Sequence, residues 1–293
     1  MFKNIKYELK EGVRIYSKPL NHNLYDLMWE TQYQNQQNGI ESFGKDRVYK
    51  LKELFMDESL DFTGKIILDA PCGLGRISLA SQEIGADLVV ACDGSFNGPK
   101  YTNLRMGKKN IIPIQMDLED INNIFEPQSF DIIIHYFALQ HMRDYKQVLS
   151  SFASLLKKGG KIGFNFFITG QTSQITYNLR DYFMKYDLSY VENFLASIGR
   201  IKGKEKEKKI DLIKLNELNL TEFYQFKDIL NDIRELNKKY SIGDIMSKIH
   251  LEDFQTTYLW NFSNNKIVEY VKSLGLKILN NDFPGRISAQ RIR

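Results

Sequence analysis

The sequence predicts an α/β fold: a doubly wound, mainly parallel sheet of seven strands that ends in an antiparallel hairpin and carries a mostly helical insertion. Three observations predict it. Near-continuous apolar runs alternate with helical patterns between residues 63 and 168, as in parallel strands covered on both faces. The first of these runs, Ile66-Ile67-Leu68, enters a glycine-rich turn. Near the C-terminus two short strand patterns flank Asp282-Phe283-Pro284-Gly285. A link that short joins only antiparallel strands, because a parallel crossover needs a dozen residues or more.

Residues 1–62 read as an N-terminal helical extension. Asn23–Tyr33 is an aromatic-rich amphipathic helix, and Arg47–Phe55 a second, with Val48, Leu51, Leu54 and Phe55 at helical spacing. The core, residues 63–169 and 263–293, holds strands at Lys65–Leu68, Leu88–Cys92, Asn110–Gln115, Phe130–Ile134 and Lys161–Phe167. Helices fall at Arg76–Ile84, Pro99–Met106 and Tyr145–Leu156, and Lys157-Lys158-Gly159-Gly160 reads as the stop of the last one. Pro113 inside the third strand points to a sheet edge, since proline removes a ladder donor. Residues 170–262 break the alternation, with helical patterns at Asn178–Tyr186, Leu188–Ile198 and Thr221–Lys239. The mixed-sign stretch Arg200–Lys214 reads as a solvated loop or helix end. Helix Asn264–Leu274 then restores the pattern, with Ile267, Val268, Val271 and Leu274 inward, before strands Leu276–Asn280 and Arg286–Arg291.

Composition narrows the function classes. The chain has 293 residues, 43% hydrophobic and 26% charged, with a net charge of +4. That balance is ordinary for a globular protein and lacks the concentrated basic stripe of a nucleic-acid binder. The two cysteines, Cys72 and Cys92, end predicted strands and read as small apolar residues, and the two cysteines and four histidines form no metal-ligand cluster. The N-terminus has no signal-peptide apolar region, and no run approaches the roughly 20 apolar residues of a membrane span. The expected compartment is the cytoplasm.

The turn Asp69-Ala70-Pro71-Cys72-Gly73-Leu74-Gly75-Arg76 lets backbone approach a nucleoside cofactor, and Asp93, 18 residues after Gly75, ends the next strand where a carboxylate can hold ribose hydroxyls. The dinucleotide fingerprint needs a third glycine where Ser78 stands, which weakens a nicotinamide cofactor. Each acidic residue also has a plainer role, since Asp93 and Asp117 suit helix caps.

Taken together, Asp69-x-x-Cys72-Gly73-x-Gly75, Asp93-Gly94, Gln115-Met116-Asp117-Leu118, the run Phe130–His141 and the terminal hairpin resemble the class I S-adenosylmethionine-dependent methyltransferases of small-molecule type, which have a Rossmann-like sheet. The resemblance covers roughly residues 63–168 and 264–292. Ala70-Pro71 replaces the usual glycine. The resemblance implies S-adenosylmethionine as cofactor and S-adenosylhomocysteine as product. It implies that Asp69, Ala70, Cys72, Gly73 and Gly75 cradle the methionine and ribose portion, and that Asp93 with Gly94 binds both ribose hydroxyls. Asp117 would accept from the adenine amino group, with Met116 and Leu118 beside the ring. His135 and Tyr136 would lie at the mouth of the fourth strand.

No Asn/Asp-Pro-Pro-aromatic tetrad and no Pro-Cys follow the fourth strand, so neither a planar nitrogen clamp nor cysteine attack on a pyrimidine is expected. A hydroxyl of a small-molecule acceptor, such as a sugar or a nucleotide-linked metabolite, is the leading target and an aliphatic amine the second. A hydroxyl must lose its proton, and His141 is the candidate general base, with His135 the alternate. The insertion 170–262 is expected to roof the pocket together with Tyr25, Trp29 and Tyr33, or to form a homodimer contact, with His250, Tyr258 and Trp260 as acceptor-contact candidates. Two other readings use the same cofactor domain: an RNA or nucleobase methyltransferase, and a non-catalytic cofactor-binding partner subunit.

Overall fold

The structure, a computed structural model, describes residues 1–19, 22–35, 45–107, 109–168, 262–282 and 285–292, with scattered positions between 186 and 260. The chain divides into two compact units, one of residues 1–169 with 258–293 and the other of residues 170–257.

In the first unit the strands are β1 (Glu8–Lys10), β2 (Val13–Ile15), β3 (Ile66–Asp69), β4 (Leu88–Asp93), β5 (Ile111–Gln115), β6 (Phe130–His135) and β7 (Leu156–Asn165). The short pair β8 (Lys209–Ile210) and β9 (Ile249–His250) forms an antiparallel ladder in the second unit. The hairpin β10 (Leu276–Asn280) and β11 (Arg286–Arg291) closes the first. Helices are α1 (His22–Asn35), α2 (Lys45–Phe55), α3 (Arg76–Glu83), α4 (Asn97–Met106), α5 (Ile121–Ile124), α6 (Tyr145–Leu155) and α7 (Asn264–Ser273).

One nine-stranded sheet runs β1-β2-β5-β4-β3-β6-β7-β11-β10. Strands β2, β5, β4, β3, β6 and β7 are parallel, whereas β11 pairs antiparallel with both β7 and β10. The order reverses at β3, which lies between β4 and β6. In such sheets ligands bind outside the carboxyl ends at this switch point.

Strand alternation sorts side chains into two layers. Leu68, Val90, Ile114 and Ile133 pack with α5, α6 and α7 through Ile121, Phe152 and Val271. Ile67, Val89, Ala91 and Ile132 pack on the opposite face with Leu54, Leu79 and Tyr101 of α2, α3 and α4. Both cysteines are free and buried in these layers.

Three expectations need correction. The N-terminal extension is not wholly helical: Glu11 and Gly12 take φ of 48° and 79° and fold β1 onto β2, adding two strands to the expected seven. Their paired positive φ suits a two-residue hairpin turn. Strand β5 is consequently internal. It accommodates Pro113 because β2 pairs only with Ile114 and Gln115, just past the proline. Finally, Lys157-Lys158-Gly159-Gly160 lies within β7, where the register against β6 shifts between Phe130 and Ile132. Gly159 has φ of 79°, so the glycines form an irregularity in the strand and not a helix stop. Apart from scattered positions, the helices expected at 178–186, 188–198 and 221–239, and most of the stretch 200–214, lie outside the described residues.

Candidate functional site

The site begins where β3 ends. Ile66–Asp69 pair with β4 and Ile67–Asp69 with β6, and the chain then turns through Gly73 (φ 48°) and Gly75 (φ 78°) into α3. These conformations favour glycine, which lacks the Cβ that crowds the left-handed region. Packing demands glycine as well. A Cβ on Gly75 would lie 2.5 Å from Thr102 Oγ1, and one on Gly98 would lie 2.8 Å from the Gly73 carbonyl oxygen. Helix α4 therefore rests directly on the turn.

Three carboxylates stand at the ends of successive parallel strands. Asp69 is fully buried; its Oδ2 accepts from Ser78 Oγ at 2.6 Å, while Oδ1 has no partner among the described residues. Burial, reinforced by the charge of Asp93, holds its carboxyl up at about 7 despite the Ser78 bond. Asp93 ties the two motifs together: Oδ2 accepts from the Gly73 amide at 2.8 Å, and Oδ1 accepts from the amide and hydroxyl of Ser95 at 2.9 and 2.7 Å. Burial raises its pKa against those bonds. Three bonds on one carboxylate leave about one of its roughly four lone-pair positions, room for one ligand hydroxyl beside the turn. Asp117 is half-buried and caps the following turn by accepting from the Glu119 amide at 3.0 Å, while its own amide donates to Ser17 Oγ. Burial raises its pKa too.

The remaining expected site residues divide between cleft and core. Ala70 and Cys72 are buried in the turn, and the Gly94 carbonyl accepts from Gln115 Nε2 at 3.0 Å. Met116 and Leu118 are buried within the α5/α6 layer. His135 points to that same layer: its ring lies 5.3 Å from Phe152, and Nδ1 is 2.5 Å from the Ala70 carbonyl oxygen. A carbonyl accepts, so Nδ1 carries the proton and Nε2 is a lone-pair acceptor without a partner among the described residues. Burial pulls the His135 pKa down to about 4, and the ring is neutral at physiological pH. His135 thus supports the carbonyl that opens the turn. Tyr136 is half-buried and packs, as Trp29, Tyr33 and Val48 also do, against the core layer on the other face. His141 ends a short turn, Leu139–His141, with Tyr25 edge-on at 6.4 Å. Trp260 braces that turn: its amide donates to the Gln140 carbonyl at 2.9 Å and its indole N–H to that of Met142 at 2.8 Å. Tyr258 lies outside the described residues, and His250 lies on β9 in the second unit. Among the described residues no group of three or more His, Cys, Asp or Glu is placed to hold a metal.

Sequence reasoning missed how α1 reaches the site. Trp29 seats its six-membered ring on the turn, with Cζ2 3.0 Å from the Cβ position that Gly73 lacks. Pro19 sits likewise against Gly94. Asp26 Oδ1 accepts from the amides of Phe96 and Asn97 at 2.6 and 2.7 Å, capping α4 from another helix. Glu30 accepts from the Tyr101 hydroxyl, and Tyr33 stacks on Tyr101 at 3.9 Å. A cap supplied 70 residues away has no local motif. At the tip of β6, Phe137 is held at φ of 53° by Asn165 Oδ1, which accepts its amide at 2.6 Å, and it leaves the ring half-exposed. A left-handed aromatic costs roughly 1–3 kcal/mol and concentrates at functional sites.

These groups fit an adenosyl amino acid: a glycine cradle, a buried unpartnered acceptor on Asp69, one position left on Asp93 and a half-buried carboxylate on Asp117. Residues 67–160 match the profile of a methyltransferase domain family, and together with this cradle the match supports a class I S-adenosylmethionine-dependent methyltransferase. Among its relatives, a ubiquinone biosynthesis O-methyltransferase of Neisseria meningitidis serogroup C is 25% identical over 38% of this chain and 48% of its own length. A demethylmenaquinone methyltransferase of Lactococcus lactis is 29% identical over 57% of this chain and 64% of its own. The chain thus spans about half to two-thirds of the length of these relatives. A solved S-adenosylmethionine-dependent methyltransferase from Mesorhizobium loti superposes with a TM-score of 0.47 at 14% identity, covering 86% of this chain and all of that one. No helix among the described residues is long and apolar enough to cross a membrane.

Proposed function

We propose that the protein transfers a methyl group from S-adenosylmethionine to a hydroxyl of a small molecule. The single observation that carries the reading is the run of Asp69, Asp93 and Asp117 at the carboxyl ends of three adjacent parallel strands around the glycine turn. Isolated caps explain one such carboxylate, not a register of three.

Asp69 and the turn Cys72–Gly75 would hold the methionine end, Asp93 a ribose hydroxyl, and Asp117 the adenine amino group. When bound, the cofactor supplies an electrophilic methyl on a sulfonium sulfur. The protein's own part is to align the acceptor, exclude water and take a proton. His141 takes the acceptor's hydroxyl proton as the oxygen–methyl bond forms. His135 holds the Ala70 carbonyl and keeps the turn in shape. Phe137, exposed at the tip of β6, offers a flat apolar wall to an acceptor.

Because several relatives are named as O-methyltransferases of ubiquinone biosynthesis, hydroxylated aromatics come first on our acceptor panel, followed by sugars and nucleotide-linked metabolites. The test is transfer of labelled methyl from S-adenosylmethionine to that panel. Turnover on hydroxylated acceptors with release of S-adenosylhomocysteine supports the reading. Turnover confined to amines or to transfer RNA overturns it, and tight cofactor binding without turnover on any acceptor favours a non-catalytic subunit.

A further inference from the structure

Two buried polar atoms at the glycine turn have no partner among the described residues: the indole N–H of Trp29, whose ring lies on Gly73, and the Oδ1 of Asp69, at the end of the strand that enters the turn. The Trp29 ring is packed on the glycine, with Cζ2, Cη2 and Cε2 at 3.0, 3.1 and 3.5 Å from the missing Cβ. Cε2 is bonded to Nε1, so the unpartnered N–H leaves the ring at this edge. Asp69 spends its other oxygen on Ser78. The ring has little freedom to find another acceptor, because α1 is pinned to α4 through Asp26 and the stacked pair Tyr33 and Tyr101.

An indole N–H only donates, and the Asp69 carboxyl, which an ammonium beside it would ionise, then only accepts. One of each, buried at the same glycine turn, is the complement of a zwitterion: the donor suits a carboxylate and the acceptor an ammonium. A buried donor left unmade is costly, and a bond to a charged acceptor is among the stronger ones. We propose that Trp29 Nε1–H holds the methionine carboxylate of the cofactor while Asp69 Oδ1 takes its ammonium, so that the N-terminal helix belongs to the cofactor site. This rests on the cofactor reading above and assigns a recognition residue outside the residues 67–160 that match the family.

The test is calorimetric titration of two ligands into the full chain: S-adenosylhomocysteine, and 5′-methylthioadenosine, which lacks the amino-acid end. Trp29→Phe keeps an aromatic ring over Gly73 and removes the N–H. The expected result is S-adenosylhomocysteine bound about tenfold or more weakly by Trp29→Phe, with methylthioadenosine bound as by the wild type. Because Trp29 is one of only two tryptophans, a Trp260→Phe background makes it the sole indole reporter, whose emission shifts on adding S-adenosylhomocysteine. Unchanged affinity for S-adenosylhomocysteine in Trp29→Phe overturns the proposal. Equal weakening for both ligands also overturns it, since that marks a structural role. Wild-type protein that binds neither ligand defeats the cofactor reading itself, a distinguishable failure.

Discussion

Replacing Asp26 by Ala removes the cap that α1 supplies to α4. The side chain accepts two backbone N–H bonds, at 2.6 and 2.7 Å, at a helix start whose own N-cap residue, Phe96, makes no side-chain cap bond. Losing a capping side chain costs about 0.5–2 kcal/mol, and losing a carboxylate at the positive end of a helix costs a further 0.3–1 kcal/mol or so. The ranges add to about 0.8–3 kcal/mol, with a centre of about 1.5–2 kcal/mol. For a unit of this size each kcal/mol moves Tm by about 2–4 °C, so Asp26→Ala should melt roughly 3–8 °C below the wild type. Asn97 Nδ2 still donates to the Asp26 carbonyl in the variant, so α1 should loosen without leaving. Circular dichroism melts check the number, and Asp26→Asn, which keeps an acceptor oxygen, should fall between the two. A variant that melts within about 1 °C of wild type refutes the reasoning, because α1 would then be held by something other than its grip on α4.

Asp69→Asn should change how stability depends on pH. With its carboxyl held at about 7, native Asp69 keeps a proton that the unfolded chain has lost above about 4, so its presence lowers stability as pH rises through that window. The stability gap in favour of Asp69→Asn should widen from pH 4 to 7 and stay constant above; a pH-independent gap in urea melts contradicts the burial argument. His135 acts with the opposite sign, since its depressed pKa of about 4 makes the fold lose stability as pH falls from about 6.5 through 4, and His135→Asn should flatten that acid limb in the same melts. His141→Ala should lower turnover about 100-fold or more, the usual range for a lost general base, with S-adenosylhomocysteine affinity unchanged by calorimetry; a few-fold loss removes His141 from the chemistry. Gly75→Ala and Gly64→Ala share a positive φ, but only the first drives a Cβ into Thr102, the space at Gly64 being open. Both should lose about 1–2 kcal/mol to backbone strain, and Gly75→Ala measurably more by chemical denaturation.

The parallel core was legible because its signals are local. Runs such as Ile66–Leu68 and Phe130–Ile134 are apolar on both faces only when helices cover both faces, and the link after Asn280 admits only a hairpin. The hairpin β1–β2 escaped because Glu11-Gly12 lacks the Asn or Asp that announces such turns, and its strands are three residues each. Pro113 misled for a related reason, since the partner of β5 on that side starts one residue past the proline. At the site, side-chain direction was the missing information. His135 and Met116 lie at the right strand ends, but they project into the α6 layer while Asp69 and Asp93 face α3 and α4. Contacts made by Asp26 and Trp29 span 70 and 44 residues, beyond any motif window.

Whether the turn after β3 holds S-adenosylmethionine with Asp93 is decided by titrating S-adenosylhomocysteine into wild-type protein and Asp93→Ala while monitoring heat. The wild type should bind saturably at one site, and Asp93→Ala should lose that binding, because both the ligand bond and the Gly73 amide bond disappear. A wild type that binds nicotinamide dinucleotide but not S-adenosylhomocysteine, or an Asp93→Ala variant that binds S-adenosylhomocysteine undiminished, would contradict this assignment.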